Sequence, residues 1–232
     1  MEAVIVADII SSTSFSAEQL VMLQEELKKF INDTKSYFEK RHSVFWGRVV
    51  RGDTLECYMD EPHYALRLAL LLKLRMILFH AAYNNTNVTI KQKHGIRNGV
   101  RVSIGVGSMR VCDFDNDILD GEAIYLAGRE LDGQHTAGKE KVSIKRTLFY
   151  ATPNYSVARV VSLMLECIDV LFRKMTDNQR IVVYNKLLGK KEFEIAKLLS
   201  RTTATINQHS VTSGWNVISN IVNYYEKELF PL

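Results

Sequence analysis

The pattern of hydrophobic and polar residues divides the first half of the chain into strands and helices. Residues 4–7 form a short apolar run rich in β-branched side chains, which predicts a buried strand. Apolar residues at three- and four-residue spacing then predict a helix over 17–40, with Ser16 as its N-cap. The pair Gly52-Asp53 predicts a tight turn between two strands, and a helix that is apolar on most faces follows it to about residue 83.

The pattern continues through five further segments up to about residue 151. A polar stretch over 84–99 predicts a loop, 100–107 a strand, 108–121 a second long loop, 122–133 a helix and 141–151 a last strand. The resulting order, β-α-β-β-α-β-loop-α-β, predicts an α+β domain built on a ferredoxin-like βαββαβ unit.

The character of the chain changes after residue 153. From residue 156 onward the pattern is helical, with a break in the last helical stretch at Ser213-Gly214. We therefore predict two domains, an α+β domain over 1–153 and an all-α domain over 154–232.

Composition narrows the class of protein only moderately. The net charge of +4 permits nucleic-acid binding without arguing for it. The three cysteines are scattered, which is typical of reduced thiols in a cytoplasmic protein. The N-terminus shows no signal-peptide pattern, and Arg67, Lys73 and Arg75 interrupt the most apolar run, so we expect no membrane span.

Two acidic residues at predicted strand ends are the first candidate site. Asp8 ends the first strand and Asp53 lies in the hairpin turn, where a split βαβ sheet can bring both to one edge. Two convergent carboxylates repel each other, and a divalent cation such as Mg²⁺ or Mn²⁺ relieves that repulsion. Alternatively, Asp8 caps the following Ser-Thr turn and Asp53 is an ordinary hairpin residue.

Four stretches of the first domain resemble blocks of the class III nucleotidyl cyclases. They are VADIISSTSF, VVRGDTLECYM, VRVSIGVG and DGEAIYLAGREL. The resemblance implies that Asp8 and Asp53 bind metal ions and that Arg129 contacts the transition state. Tyr125 replaces the Asn of that family, and its base-selecting Lys is missing. The resemblance therefore implies a degenerate site that senses a nucleotide or mediates dimerisation.

The whole chain also resembles the SatD-like family of bacterial proteins, which pair such a domain with a C-terminal helix-turn-helix. The stretch GKKEFEIAKLLSRTTATINQHSV has the helix-turn-helix pattern. Apolar residues at 195, 196, 199 and 206 would form its inner face, and Ser200 stands where Gly normally adopts the left-handed conformation. The alternative for this stretch is a helical hairpin used for packing or dimerisation.

The helix-turn-helix interpretation assigns a role to each exposed residue of that stretch. Polar side chains of the second helix can read base edges, and basic side chains before it can neutralise phosphates, although 202–225 contains no Lys or Arg. The candidate DNA-binding residues are Lys190, Lys191, Lys197, Arg201, Thr203, Asn207 and Gln208.

Three hypotheses follow from the sequence. The first is a DNA-binding transcriptional regulator whose N-terminal domain senses a nucleotide or forms a homodimer. The second is an active metal-dependent nucleotidyl cyclase or a related nucleotide-processing enzyme. The third is a structural or interaction protein in which both sites are vestigial.

Overall fold

The computed structural model describes residues 1–10, 12–50, 52–83, 99–132 and 146–230. Within these residues the chain is a mixed α+β structure with a five-stranded mixed sheet, a two-stranded sheet and several helices, as the α+β prediction required. Most of the predicted loop at 84–99 and the first half of the strand predicted at 141–151 lie outside the described residues. No helix among the described residues is long and apolar enough to cross a bilayer.

The elements of the N-terminal part follow the predicted order with one addition. In chain order they are β1 (Glu2–Ile9), α1 (Ala17–Glu39), β2 (Phe45–Val50), β3 (Thr54–Met59), α2 (Ala65–Tyr83), β4 (Val100–Gly107), β5 (Met109–Asp113), β6 (Ile118–Gly121), α3 (Glu122–Asp132) and β7 (Leu148–Ala151). The predicted N-cap of α1 is confirmed, because Ser16 Oγ accepts from the Gln19 backbone N–H at 3.2 Å.

The C-terminal part of the described chain is helical. Its elements are α4 (Tyr155–Lys174), α5 (Asp177–Leu187), α6 (Glu192–Leu198), α7 (Thr203–Thr212) and α8 (Trp215–Tyr224), followed by one π-helical turn (Tyr225–Leu229). The predicted break at Ser213-Gly214 is confirmed, since Gly214 has a φ of +73° and begins a new helix there.

The five-stranded sheet has the order β2-β3-β1-β4-β7. Every neighbouring pair is antiparallel except β4 and β7, which are parallel. Strand β1 is central, and its last residues lie opposite the first residues of β3 and β4. This register places the two predicted acidic residues at one end of the sheet.

Helices cover the two faces of the sheet unequally. One face carries the main apolar core, which joins alternate residues of β1 to buried side chains of α1, α2 and α4. The opposite face packs against α3, where Val4 and Val6 meet Ala123 and Ala127. The main core also includes residues of α5 and α8, so the sheet and the C-terminal helices share one buried cluster. The domain boundary near 153 stays a prediction.

The prediction of a loop over 108–121 is wrong, because this segment forms the antiparallel pair β5–β6. Its two strands are short and mostly exposed or half-buried, so the local pattern gives only a weak strand signal. Contacts distant in sequence hold the hairpin instead. Phe114 stacks on Trp46 at 5.6 Å between ring centroids, and the Arg48 guanidinium donates to the Asp117 carbonyl.

Candidate functional site

Helices α5, α6 and α7 pack around a small apolar cluster of their own. Ile195 and Ala196 of α6 and Ile206 of α7 are buried against Val182 of α5, with Leu199 packed at the edge. These are the residues that the sequence predicts for the inner face of the two helices, so that prediction is confirmed. The small Ala196 side chain allows α6 and α7 to approach closely.

The turn between α6 and α7 has the backbone conformation predicted for it. Ser200 has a φ of +51°, in the left-handed region that non-glycine residues rarely adopt. Ser200 N donates to the Lys197 carbonyl at 3.3 Å and Arg201 N donates to the Ala196 carbonyl at 2.9 Å, the two bonds of a Schellman motif. Thr202 then caps α7 by accepting from Thr205 N at 3.2 Å.

We expect Ser200→Gly to stabilise the protein by about 0.5–1 kcal/mol, because glycine adopts the left-handed conformation without steric cost. Ser162→Gly is the matched control in the interior of α4, where the same exchange should destabilise by about 0.5 kcal/mol. Urea unfolding of both variants measures the two effects. A loss of stability in Ser200→Gly would contradict the strain assigned to this turn.

The candidate DNA-binding residues lie on the outside of this three-helix unit. All seven side chains that the sequence singled out are exposed, namely Lys190, Lys191, Lys197, Arg201, Thr203, Asn207 and Gln208. Two of them have polar partners: Lys190 Nζ donates to Asn185 Oδ1 at 2.8 Å, and Asn207 Nδ2 donates to Glu192 Oε2 at 3.3 Å. The basic residues precede α7 in the chain and the neutral polar residues lie on it.

Glu192 is a residue of this surface that sequence reasoning missed. It lies at the start of α6 and accepts from Lys186 Nζ at 2.8 Å through its other carboxylate oxygen. The hydrogen bond from Lys186 lowers the pKa of Glu192, so the pair stays ionised and largely neutral as a unit. Spacing alone could not reveal that Lys186, Glu192 and Asn207 meet, because they belong to three different helices.

Asp8 and Asp53 lie at the same end of the sheet on neighbouring strands. Asp8 is opposite Thr54 in the β1–β3 register, and Ile9 N donates to the Asp53 carbonyl at 3.1 Å. The two acidic residues are therefore separated by about one register step along the sheet. The register therefore confirms that both residues lie at one edge of the sheet, while a meeting of their two carboxylates stays a prediction.

Each of the two carboxylates has a partner within the protein. Asp8 forms an ion pair with Arg101, which lies opposite it on β4, and Asp53 Oδ2 accepts from Ser12 Oγ at 2.6 Å. Sequence reasoning missed Arg101, whose only signal is a charge at the start of an apolar strand. The Arg101 guanidinium provides beside Asp8 the positive charge that the sequence prediction assigned to Mg²⁺.

Asp8 and Asp53 offer two carboxylates at this sheet end, and Mg²⁺ in proteins usually takes one or two carboxylates together with phosphate and water oxygens. Over the described ranges, which omit 11, 51, 84–98, 133–145 and 231–232, no three His, Cys, Asp or Glu residues are grouped so that they could hold a metal ion. Arg101 pairs with Asp8 Oδ2, so a cation that used this oxygen would have to displace Arg101.

Helix α3 carries the remaining candidates, Tyr125 and Arg129, on its exposed side one turn apart. Tyr125 Oη donates to Asp120 Oδ1 at 2.7 Å, and Arg110 pairs with the same carboxylate. Both hydrogen bonds lower the pKa of Asp120, and the bond from Tyr125 has the larger effect. The tyrosine at the position of the cyclase Asn is thus tied to the β5–β6 hairpin.

The chain matches no protein-family model and no curated protein significantly. The resemblance to the SatD-like family and to class III cyclases consequently stays a prediction.

Proposed function

We propose that the protein is a DNA-binding transcriptional regulator in which α6 and α7 form a helix-turn-helix. The observation that carries this proposal is the α6–α7 turn. A left-handed Ser200 closes α6 with a Schellman motif, and α7 crosses over the buried cluster of Ile195, Ala196 and Ile206. A short turn between two crossing helices is the arrangement that places a second helix in the major groove.

Helix α7 is the proposed recognition helix. Thr203, Asn207 and Gln208 are exposed along it and can reach base edges when α7 lies in the major groove. The amides of Asn and Gln can pair with N6 and N7 of adenine, and the Thr methyl can contact a thymine methyl. Because α7 carries no Lys or Arg, its contribution is to specificity rather than to phosphate binding.

Phosphate binding is assigned to basic residues outside α7. Lys190 and Lys191 precede α6, Lys197 lies in its last turn, and Arg201 follows it in the connection to α7. All four are exposed and can approach the backbone on the side of the duplex that α7 enters. Neutralised phosphates supply much of the affinity of DNA-binding proteins and make it dependent on salt.

We expect the double variant Lys191→Glu, Arg201→Glu to bind DNA more weakly and with a shallower salt dependence. Each lost phosphate contact should reduce the slope of log K against log salt by about 1. Fluorescence anisotropy with a labelled duplex at several salt concentrations measures both quantities. The control Lys28→Glu, Lys29→Glu makes the same charge change on exposed positions of α1 and should leave both unchanged. Equal losses in the two variants would contradict the assignment.

The proposed role of the sheet-bearing segment is to sense a nucleotide or to dimerise, in a cytoplasmic bacterial protein resembling the SatD-like family. The strand order β4-β1-β3-β2, with every pair antiparallel, supports a ferredoxin-like unit of the cyclase type. Helices α1 and α2, which connect its outer and inner strands, lie on one face as that unit requires. The ion pair of Asp8 with Arg101 and the Tyr125–Asp120 bond support a degenerate site.

An active metal-dependent nucleotidyl cyclase is the second candidate, favoured by the adjacency of Asp8 and Asp53 at one sheet end. Under this proposal Asp8 leaves Arg101 to bind Mg²⁺ or Mn²⁺, and Arg129 contacts the phosphates. Incubation with the four nucleoside triphosphates and each metal, followed by chromatography of the products, tests it. Turnover abolished by Asp8→Ala would support the enzyme, and turnover equal in wild type and variant would exclude this site as its source.

A further inference from the structure

Helix α7 exposes a face that carries methyl and amide groups and no charge. Ile206, which packs against α5 and α6, and Ser210 are buried on one side of the helix. Ala204, Gln208 and Val211 follow one another at intervals of four and three residues, so they lie together on the opposite side. All three are exposed, and Val211 is 64% exposed. This is the side that meets the base edges when α7 lies in the major groove.

The side chains of α7 match one type of base pair. In the major groove Arg and Lys read guanine and Glu and Asp read cytosine, and none of these four residue types occurs between 203 and 212. Amides of Asn and Gln, both of which α7 exposes, read adenine, and small apolar side chains contact the thymine methyl group. A hydroxyl can pair with any base, but Thr212 Oγ1 already donates to the Gln208 carbonyl at 2.7 Å and accepts from Gln179 Nε2 at 2.8 Å.

We infer that the part of the target site read by α7 consists of A·T base pairs, and that Ala204 and Val211 are further specificity residues that contact thymine methyl groups. This inference rests on the proposed function and adds the class of base pair to it. Asn207 and Gln208 pair with N6 and N7 of adenine. The hydrogen bond to Glu192 uses one of the two N–H groups of the Asn207 amide, so the second N–H and the amide oxygen serve adenine.

The charges around α7 favour duplex DNA over a protein as the occupant of this face. The basic residues at 190, 191, 197 and 201 are exposed around α6, whereas α7 has no charged side chain of the Asp, Glu, Lys or Arg type. The two acidic residues of the same stretch, Glu192 and Glu194, each accept a hydrogen bond from within the three-helix unit. A duplex carries phosphates on both sides of its groove, so flanking basic residues attract any sequence and the neutral helix discriminates between sequences.

Fluorescence anisotropy of labelled duplex pools, titrated with the full chain at one salt concentration, tests the inference. Each pool has random order and contains only A·T, only A·U, only I·C or only G·C base pairs. Inosine lacks the 2-amino group of guanine, so an I·C pair resembles A·T in the minor groove and G·C in the major groove. The A·T pool should bind about tenfold more tightly than the I·C and G·C pools. The A·U pool should bind more weakly than the A·T pool, by about fourfold for each lost methyl contact.

The outcomes separate this inference from the DNA-binding proposal. An I·C pool or a G·C pool that binds as tightly as the A·T pool would overturn the inference, while the proposal that α6 and α7 bind DNA would stand. In the I·C case the preference would come from the minor groove, which α7 does not enter under the proposal. Binding to none of the pools would overturn both, as expected if another protein occupies this face.

The variant Val211→Ala tests the assignment of thymine reading to α7. Its affinity for the A·T pool should fall while its affinity for the A·U pool stays unchanged, so the ratio of the two affinities falls by about fourfold. Alanine is favoured in helices, so the variant should keep its fold. The control Val217→Ala makes the same exchange at a position that is 49% exposed on α8, and it should preserve the ratio. A ratio that Val211→Ala leaves unchanged, or that both variants reduce equally, would overturn the role of Val211.

Discussion

Asp169→Ala should destabilise the protein by about 3–5 kcal/mol, because it leaves a buried lysine without its acidic partner. Lys73 of α2 is fully buried and donates to the Val100 carbonyl at 2.7 Å and to Thr147 Oγ1. Asp169 of α4, also fully buried, accepts from Thr147 N at 2.5 Å and from Thr147 Oγ1 at 2.6 Å. The Lys73 ammonium lies 3.9 Å from the Asp169 carboxylate.

The electrostatics of this cluster explain the size of the expected effect. Burial lowers the pKa of Lys73 to about 7, and the charge of Asp169 opposes that change. Removing the carboxylate takes away this compensation and two acceptors of the Thr147 hydrogen bonds at once. Lys73 and Thr147 belong to the predicted domain 1–153, and Asp169 of α4 belongs to the predicted domain 154–232. The cluster therefore links the two predicted domains through buried hydrogen bonds and an ion pair.

Glu166→Ala provides a matched control one turn earlier on the same helix. Glu166 pairs with Arg146 at 3.3 Å, but its side chain is 51% exposed, so its loss should cost less than about 1 kcal/mol. Chemical unfolding of both variants compares the two acids directly. If Asp169→Ala cost no more than Glu166→Ala, the buried cluster would not be the link between the segments that we describe.

Gly105→Ala is the second substitution with a large expected effect, a loss of about 3 kcal/mol. Gly105 is on the face of β4 that α3 covers, and a Cβ there would lie 2.0 Å from the Ala123 carbonyl oxygen and 2.7 Å from Ala127 N. Both obstacles are helix backbone, which cannot rotate away as a side chain can. Helix α3 must shift as a whole, which exposes apolar surface on both sides of the contact.

Gly128→Ala makes the same exchange within α3 and should have the opposite sign. A Cβ at Gly128 meets nothing within 4 Å, and alanine is favoured over glycine in a helix by about 1 kcal/mol. Thermal unfolding of the two variants should therefore shift in opposite directions. Destabilisation of both to the same extent would indicate that close packing of α3 on β4 is not the cause.

Features with local sequence signals were predicted well. The helix predicted over 17–40 spans Ala17–Glu39, because its capping residue and apolar spacing lie within or directly beside the segment. The left-handed turn at Ser200 and the break before Gly214 also follow from residue types at fixed places in a local pattern. In each of these cases the physical cause lies within a few residues of its effect.

Features that depend on distant partners were not predicted. Arg101 meets Asp8 only because β4 and β1 are neighbours in the sheet, and the β5–β6 hairpin makes contacts with Trp46 and Arg48 of β2. The sequence could indicate that Asp8 needs a positive charge nearby, but not whether a metal ion or an arginine side chain provides it. The sequence therefore predicted that Asp8 and Asp53 share one end of the sheet, while the charge balance at that end was not foreseen.

Selection from a random-sequence duplex library with the full chain is the most direct test that α7 reads DNA. We expect the wild type to enrich a sequence motif at low salt. The variant Asn207→Ala, Gln208→Ala should retain salt-dependent binding but lose that motif, because the phosphate-binding residues lie outside α7. Enrichment of the same motif by the variant, or no binding by the wild type at low salt, would contradict the proposal.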